Sequence, residues 1–367
     1  RDLHLSIRRQ RQMCIRDSPY ESFKRHLTIM PTEIYDYVIV GAGSAGCVLA
    51  NRLSENGRHQ VLLLEAGPPD SYPWIHIPIG YAKTMFHPRY NWCFYTEPES
   101  AMHGRQIYWP RGKVLGGSSS INGLIFIRGQ PTDYDGWAAL GNAGWAWEDV
   151  LPYFIRLEKN SGGSNPWRGD SGPQAVSDIS SPSVLARAFV EACISAGYER
   201  NDDFNGEFQD GAGYYQLITD KGLRCSSADA YLKIAKSRSN LRVLTNALVV
   251  KINFKNNRAD GIDLRQAGRL TKVLARREII LSAGAIQSPQ MLQLSGIGDA
   301  EILKKYNLPV ICHLPGVGRN LQDHLQLRVI HRCNERVTTN DAFTKLWPRI
   351  AMGLRYLLLR NGPMAIG

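Results

Sequence analysis

Gly41, Gly43 and Gly46 stand in the spacing GxGxxG, and Glu65 follows about twenty residues on. These residue types can do one job together. Gly41 permits a tight turn, the missing side chain at Gly43 admits a pyrophosphate to the backbone, and Gly46 lets a helix lie close on a strand. Ser44 and Ala45 open that helix, whose first N–H groups and partial positive charge attract phosphates. The Glu65 carboxylate can accept hydrogen bonds from both hydroxyls of an adenosine ribose, and it repels a 2′-phosphate, which argues against NADP. The arrangement predicts binding of a dinucleotide with an ADP half. NAD and FAD share that half, so both remain open at this point.

A second cluster is Arg111-Gly112-Lys113-Val114-Leu115-Gly116-Gly117-Ser118-Ser119-Ser120-Ile121-Asn122-Gly123, which runs into the apolar Leu124-Ile125-Phe126-Ile127. Adjacent glycines, three serines and an asparagine make a turn with many backbone donors and room for a planar group. Its apolar residues exclude a flexible linker, so the segment is expected to pack inside. A metal is not expected, because the nine histidines show no HExxH spacing and the seven cysteines include no CxxC pair. Odd in number and widely spaced, those cysteines predict reduced, mostly buried thiols in a cytoplasmic protein. Residues 67–110 are rich in Pro, Trp and Tyr and are expected to cover a bound ligand, with His76, His87 and His103 structural.

The glycine turn needs a strand before it and a helix after it. Asp36-Tyr37-Val38-Ile39-Val40 is short, apolar and β-branched enough for a buried parallel strand. A helical pattern follows, with Val48, Leu49 and Leu53 on one face and Gly57 just past its end. The next strand, Val61-Leu62-Leu63-Leu64, delivers Glu65 and Ala66. Further helices are predicted from Glu148-Asp149, from the Ser183 cap with Leu185, Phe189, Ala192 and Ala196 inward, and from Ser226-Ser227 through Ala235. Alternation over residues 241–244, 248–252, 261–264 and 270–274, with turns at Asn256-Asn257 and Gly268, predicts an antiparallel meander. A last parallel strand, Glu278-Ile279-Ile280-Leu281, follows it, and Ser288-Pro289 opens a helix. The fold class is α/β (α+β overall): a Rossmann-like parallel sheet carrying an antiparallel β-meander.

With 367 residues, 43% of them apolar, the chain can build one large domain or two. Its net charge of +11 is unevenly placed: residues 1–30 carry +4, and the remaining +7 is spread without runs of like charge, which suits anionic ligands in general and not nucleic acid. No apolar run reaches the roughly eighteen residues that a spanning helix needs. Residues 1–30 are basic and lack the apolar centre of a secretory signal; they read as a non-native or disordered leader before Met30.

Together with Gly284-Ala285-Ile286-Gln287-Ser288-Pro289-Gln290-Met291-Leu292-Gln293-Leu294-Ser295-Gly296-Ile297-Gly298, the two glycine segments and Glu65 resemble the ordered motifs of the glucose-methanol-choline (GMC) family of FAD-dependent oxidoreductases. Residues 111–129 are most similar to its bacterial choline-dehydrogenase-like alcohol dehydrogenases. The resemblance implies an FAD-binding domain at residues 31–135 and 220–328, and an incomplete substrate-binding domain at 136–219 and 329–367. It implies that Gly41, Gly43, Ser44 and Ala45 hold the pyrophosphate, Glu65 and Ala66 the adenosine ribose, and the Val249 backbone the adenine. Val114, Gly116 and Gly117 would lie along the dinucleotide, Asn122, Gly123, Leu124 and Ile125 beside the isoalloxazine, and Gly284 against the cofactor. Some relatives tether the flavin through a histidine just before the asparagine; Ile121 stands there, so FAD without a covalent bond is expected. Tyr214, Tyr215 and Gln216 are expected to approach the active-site cavity, and Asp323-His324 to support the flavin domain rather than act in catalysis.

The implied reaction is oxidation of a primary alcohol, choline-like, aliphatic or aromatic, to the aldehyde, with hydride passing to flavin and a histidine taking the hydroxyl proton. Relatives carry that histidine near the C-terminus and run on well past the length of this chain, so the chain reads as C-terminally truncated, with its catalytic residues beyond Gly367. A quinone or another acceptor would make a dehydrogenase and O₂ an oxidase; an FAD-containing hydroxynitrile lyase and an inactive FAD-binding fragment are the remaining readings. The expected place is the cytoplasm, with peripheral attachment to the inner membrane as the alternative.

Overall fold

The computed structural model describes residues 33–366 apart from 325, 328, 336 and 339; the expected leader, with Met30 and Cys14, lies outside the described residues. Strand β1 (Glu33–Val40) turns through the first glycines into helix α1 (Ser44–Ser54), and the chain returns in β2 (Val61–Leu64). β1 and β2 pair in parallel, Tyr37 opposite Val61 and Val40 opposite Leu64. Their residues alternate between two apolar clusters. Ile39 and Leu63 face Ala50 and Leu232, while Val38, Val40, Leu62 and Leu64 face Val249, Ile262 and Met291. Burial on both faces is why these strands read as unbroken apolar runs.

The face of α1 that packs is Gly46, Cys47, Ala50 and Ser54, whereas Val48, Leu49 and Leu53, expected to form it, are half-buried beside it. Small residues are needed there, because a Cβ on Gly46 would run into the Gly41 carbonyl. Gly57 has φ +71, as expected past the helix end.

Helices α2 (Pro131–Ala139), α3 (Trp147–Leu157) and α4 (Val184–Ser195) follow. Ser183 caps α4, its Oγ accepting from Ala186 N at 3.0 Å. The α4 face differs from the expected one: Val190 is buried, whereas Phe189 is 70% exposed and Leu185 and Ala192 are also exposed. Apolar residues nearly encircle this helix, so periodicity had no contrast from which to pick a face.

Strand β3 (Leu241–Leu244) pairs in parallel with β2 at the sheet edge rather than joining the meander, a correction that four alternating residues could not have supplied. Before it, Ser226 rather than Ser227 caps the turn Ala228–Leu232, its Oγ accepting from Asp229 N, and Ser227 N donates to Ser119 Oγ. The meander itself is β4 (Ala247–Lys255), β5 (Arg258–Gln266) and β6 (Arg269–Leu281). Asn256 and Asn257 both take positive φ, 51 and 60, which fits a two-residue hairpin turn. The strand expected at residues 278–281 is the far half of β6, so one strand serves both the meander and the sheet centre, in the order β3-β2-β1-β6-β5-β4.

Helix α5 (Gly284–Leu294) begins four residues before the expected Ser288, leaving Pro289 inside it. Gly284, at φ +83, lets the chain turn from β6 directly into the helix. The last helix is α6 (Leu346–Leu359). Among the described residues, no helix is long and apolar enough to cross a membrane.

Candidate cofactor site

Three strand ends meet at one cavity of about 700 Å³. Val40 closes β1, Leu64 closes β2 and Leu281 closes β6, and all three line it. β1 lies between β2 and β6, and the crevice opens at the carboxyl ends of these three strands.

Two helices start at the same cavity: Gly43, Ser44 and Ala45 of the α1 turn line it, and so do Gly284 and Ala285 of α5. Neither helix has a side-chain cap or an acidic residue in its first turn. Their leading N–H groups and positive dipole ends are therefore answered by no side chain of their own, which suits an anion.

The second glycine segment closes onto the first. Gly116 N donates to Ala42 O at 2.8 Å, and a Cβ on Gly117 would stand 2.6 Å from Gly43 Cα. A Cβ on Gly43, by contrast, would meet no protein atom nearer than 3.9 Å. The chain leaves that space open, and it opens on the cavity.

Glu65 is 6% exposed and lines the same cavity. Its Oε2 accepts from Ala42 N at 3.0 Å and its Oε1 from Gly67 N at 2.9 Å, which leaves each oxygen a further lone pair. Burial pushes this carboxyl up to about 7, against the opposing pull of the two backbone donors and of Lys113. The cradle for phosphates, the ribose acceptor and the open space at Gly43 fit a dinucleotide.

The structure brings together Gly41, Gly43, Ser44, Ala45, Glu65, Ala66, Gly117, Val249 and Gly284 of the residues singled out in the sequence. It does not bring Val114, Gly116, Asn122, Gly123, Leu124 or Ile125 to the cavity lining. Val114 packs with Ile75, Tyr90 and Ile121, and Leu124 with Leu217 and Ile218, so their side chains fill two small cores. Residues 124–127, expected inside, alternate instead, with Ile125 53% and Ile127 43% exposed, and Ile125–Phe126 form a short strand against residues 216–217. Trp92, from the aromatic segment expected to cover a ligand, also lines the cavity, and so do Arg111 and Gln287. Arg111 and Gln287 lie inside the second and third glycine-containing motifs, but nothing in the residue types says which side chains turn inward.

Tyr214, Tyr215 and Gln216 are not at the cavity. Tyr215 packs on Phe204, and Gln216 Oε1 accepts from Arg168, a guanidinium held in turn by Glu158 and Asp203. Glu158 also pairs with Arg128, and Arg128, Glu158 and Arg168 are all buried. Asp323 accepts from Trp109 Nε1, which with the His324 N–H holds its carboxyl below the usual carboxylate range and ties residues 323–324 to the short strand at Tyr108–Trp109. His76 donates to Asp70 O at 2.7 Å, a structural contact as expected. The six described cysteines are free but not mostly buried: Cys47 and Cys225 are, Cys93, Cys193 and Cys333 are half-buried, and Cys312 is exposed on a short edge strand.

Choline dehydrogenase, mitochondrial, of Mus musculus is 42% identical over 355 residues, which are 95% of this chain and 59% of that protein. An oxygen-dependent choline dehydrogenase of Photobacterium profundum is 43% identical over 330 residues, 89% of this chain and 58% of that protein. Among solved structures, an FAD-dependent oxidoreductase from Chaetomium thermophilum superposes with a TM-score of 0.82 at 30% identity, over 90% of this chain and 60% of that one. The chain thus spans less than two thirds of the length of each. The sequence profile of the GMC oxidoreductases matches residues 35–326, and the chain belongs to that family.

Proposed function

We propose that the whole protein is an FAD-dependent oxidoreductase that oxidises a primary alcohol to the aldehyde, with choline or a choline-like alcohol as the leading substrate. The observation that carries this reading is the meeting of two glycine turns and Glu65 at one cavity, where the space beside Gly43 is left open. Homologues named as choline dehydrogenases support the substrate class.

Bound FAD supplies the hydride acceptor. In this reading, Gly41, Gly43, Ser44 and Ala45 hold the pyrophosphate at the start of α1, and Glu65, followed by Ala66, takes the ribose hydroxyls. The Val249 backbone faces the adenine, and Gly284 brings the start of α5 to the phosphates. Val114, Gly116, Gly117, Asn122, Gly123, Leu124 and Ile125 offer their backbone along the rest of the cofactor, since the apolar side chains of Val114 and Leu124 point into cores. Buried Ile121 offers no nucleophile, so the cofactor is held without a covalent bond. The FAD-binding domain would comprise residues 31–135 and 220–328, and the rest of the described chain part of the substrate domain.

We place the proton-accepting histidine in the part of the relatives' length that this chain does not span. The electron acceptor is a quinone, another acceptor or O₂, and the free thiols among the described residues favour a reducing compartment such as the cytoplasm. The test is to purify the chain, measure bound flavin after denaturation, and then expose the complete protein to choline without oxygen. Loss of the flavin's visible absorbance is expected. A flavin that stays oxidised with choline and with aliphatic and aromatic alcohols would rule the oxidoreductase out in favour of a lyase, and oxygen uptake separates oxidase from dehydrogenase.

A further inference from the structure

Helix α6 stands with its apolar side outward. Leu346, Trp347, Ile350, Leu354, Leu357 and Leu358 recur at helical spacing and form one stripe, and all are exposed, Trp347 by 78% and Leu358 by 79%. The opposite side is pinned. Tyr356 is 1% exposed and its Oη donates to Gly222 O at 2.9 Å, with Met352 and Gly353 half-buried on the same helix. Just past the helix, Arg360 N donates to Tyr356 O at 2.9 Å, and the Arg360 guanidinium lies 5.3 Å from the centre of the Tyr356 ring. The helix cannot roll to bury its stripe without giving up these contacts.

The charges around the stripe are of one sign. From Ala342 to Gly367 the sequence carries Lys345, Arg349, Arg355 and Arg360 and no aspartate or glutamate. By helical periodicity Arg349 falls to one side of the stripe and Arg355 to the other, and both are exposed. Such side chains can lay their stems along apolar surface while the charged heads stay in a polar layer. A row of large apolar side chains in the open marks an interaction surface. Two copies of this face laid together would set cation against cation, whereas an anionic surface answers both the charge and the stripe. With 14 residues, about 21 Å, α6 is too short to cross a bilayer and can only lie along one.

We propose that this face of α6 docks on an anionic phospholipid bilayer, with Trp347, Ile350, Leu354 and Leu358 entering the boundary of the acyl chains and Arg349 and Arg355 meeting lipid phosphates. A stripe of tryptophan and leucine flanked by cations is the pattern of helices that lie in the plane of a membrane surface. Each cation near such a surface tightens binding by about fivefold. None of α6 lines the cavity, so lipid binding does not depend on flavin. A protein held there would also meet a lipid-dissolved quinone directly, in keeping with a quinone as the electron acceptor.

The test is sedimentation of the complete protein with vesicles of phosphatidylcholine alone or mixed with phosphatidylglycerol. Binding to the mixed vesicles and not to the neutral ones is expected, and it should weaken as salt is added. Leu358→Asp should weaken it at least about tenfold and Arg349→Gln about fivefold, with flavin content and melting temperature as in the parent. Protein fluorescence should move to shorter wavelength on binding, and Trp347→Phe should remove that shift while the protein stays on the vesicles. The proposal is overturned if the complete protein ignores the mixed vesicles, binds the neutral ones equally, binds alike with Leu358→Asp, or shows no shift that depends on Trp347. Two further results would overturn it by giving the face another occupant. Dimers that Leu358→Asp dissociates, in a protein that ignores vesicles, would assign it to a second copy. An added thiol from Leu358→Cys that a maleimide reaches in this chain but not in the complete protein would assign it to further chain folded over it.

Discussion

Glu65 combines burial with two backbone donors, and that conflict sets a pH dependence. Its carboxyl is pushed up to about 7 from an ordinary 4.5, so the folded, ligand-free chain holds a proton there that the unfolded chain gives up near pH 4.5. A raised acid of this kind contributes stability below the unfolded pKa and loses it as pH rises through about 7, on the order of 3 kcal/mol in all. Ribose hydroxyls donate to the ionised form. FAD affinity should accordingly rise by about tenfold per pH unit as pH approaches 7 from below, then level off. Glu65→Gln should flatten that profile, as titration of protein fluorescence with FAD from pH 5.5 to 8.5 would show. An unaltered slope in the variant would assign the titration to another group.

Gly43 and Gly117 separate the needs of the fold from those of the ligand. Gly43→Ala meets nothing in the protein nearer than 3.9 Å, so the melting temperature without ligand should stay near that of the parent. The added methyl occupies the phosphate approach, and flavin retention should fall at least tenfold, roughly 1.4 kcal/mol. Gly117→Ala places its Cβ 2.6 Å from Gly43 Cα at φ +55, and it should lose both flavin and about 1–3 kcal/mol of stability, read by urea denaturation.

At the scale of elements, the strand–turn–helix–strand unit from β1 to β2 was legible because three independent signals coincide there: buried runs, glycine spacing and an acid at the right distance. The hairpin turns of the meander were equally legible, since paired asparagines and glycine announce positive φ. Faces were harder to read. Helix α4 is apolar on nearly all sides, and the small packed face of α1 follows from a backbone contact that no periodicity records. The buried charges left no trace either, because the partners of Arg128, Glu158, Arg168 and Arg224 are set by tertiary contacts. Glu158 joins two guanidinium groups that lie far apart in sequence. Glu158→Gln leaves both arginines buried with only the partly exposed Asp203 as a counter-charge, and it should cost about 3–5 kcal/mol by urea denaturation. The flavin spectrum of the folded fraction should not change, because none of the network lines the cavity.

For the whole molecule, the cavity ties three adjacent strands of the sheet to one ligand, since β1, β2 and β6 all end there together with the starts of α1 and α5. A ligand that binds this arrangement and not the unfolded chain must raise stability by mass action, about 2.7 kcal/mol at a hundred times its Kd. Adding FAD to stripped protein should therefore raise the melting temperature by several degrees, and the increment should grow with the logarithm of FAD concentration. ADP, which carries the half that Glu65 and α1 would hold, should reproduce part of that increment, while FMN, which has the rings without the adenosine, should give less. Gly43→Ala makes the control specific: its ligand-free melting point should match the parent while its FAD increment is reduced. Equal increments from FMN and ADP, or no increment from FAD, would move the binding energy away from the two glycine turns and Glu65, and the assignment of the cavity would have to be abandoned.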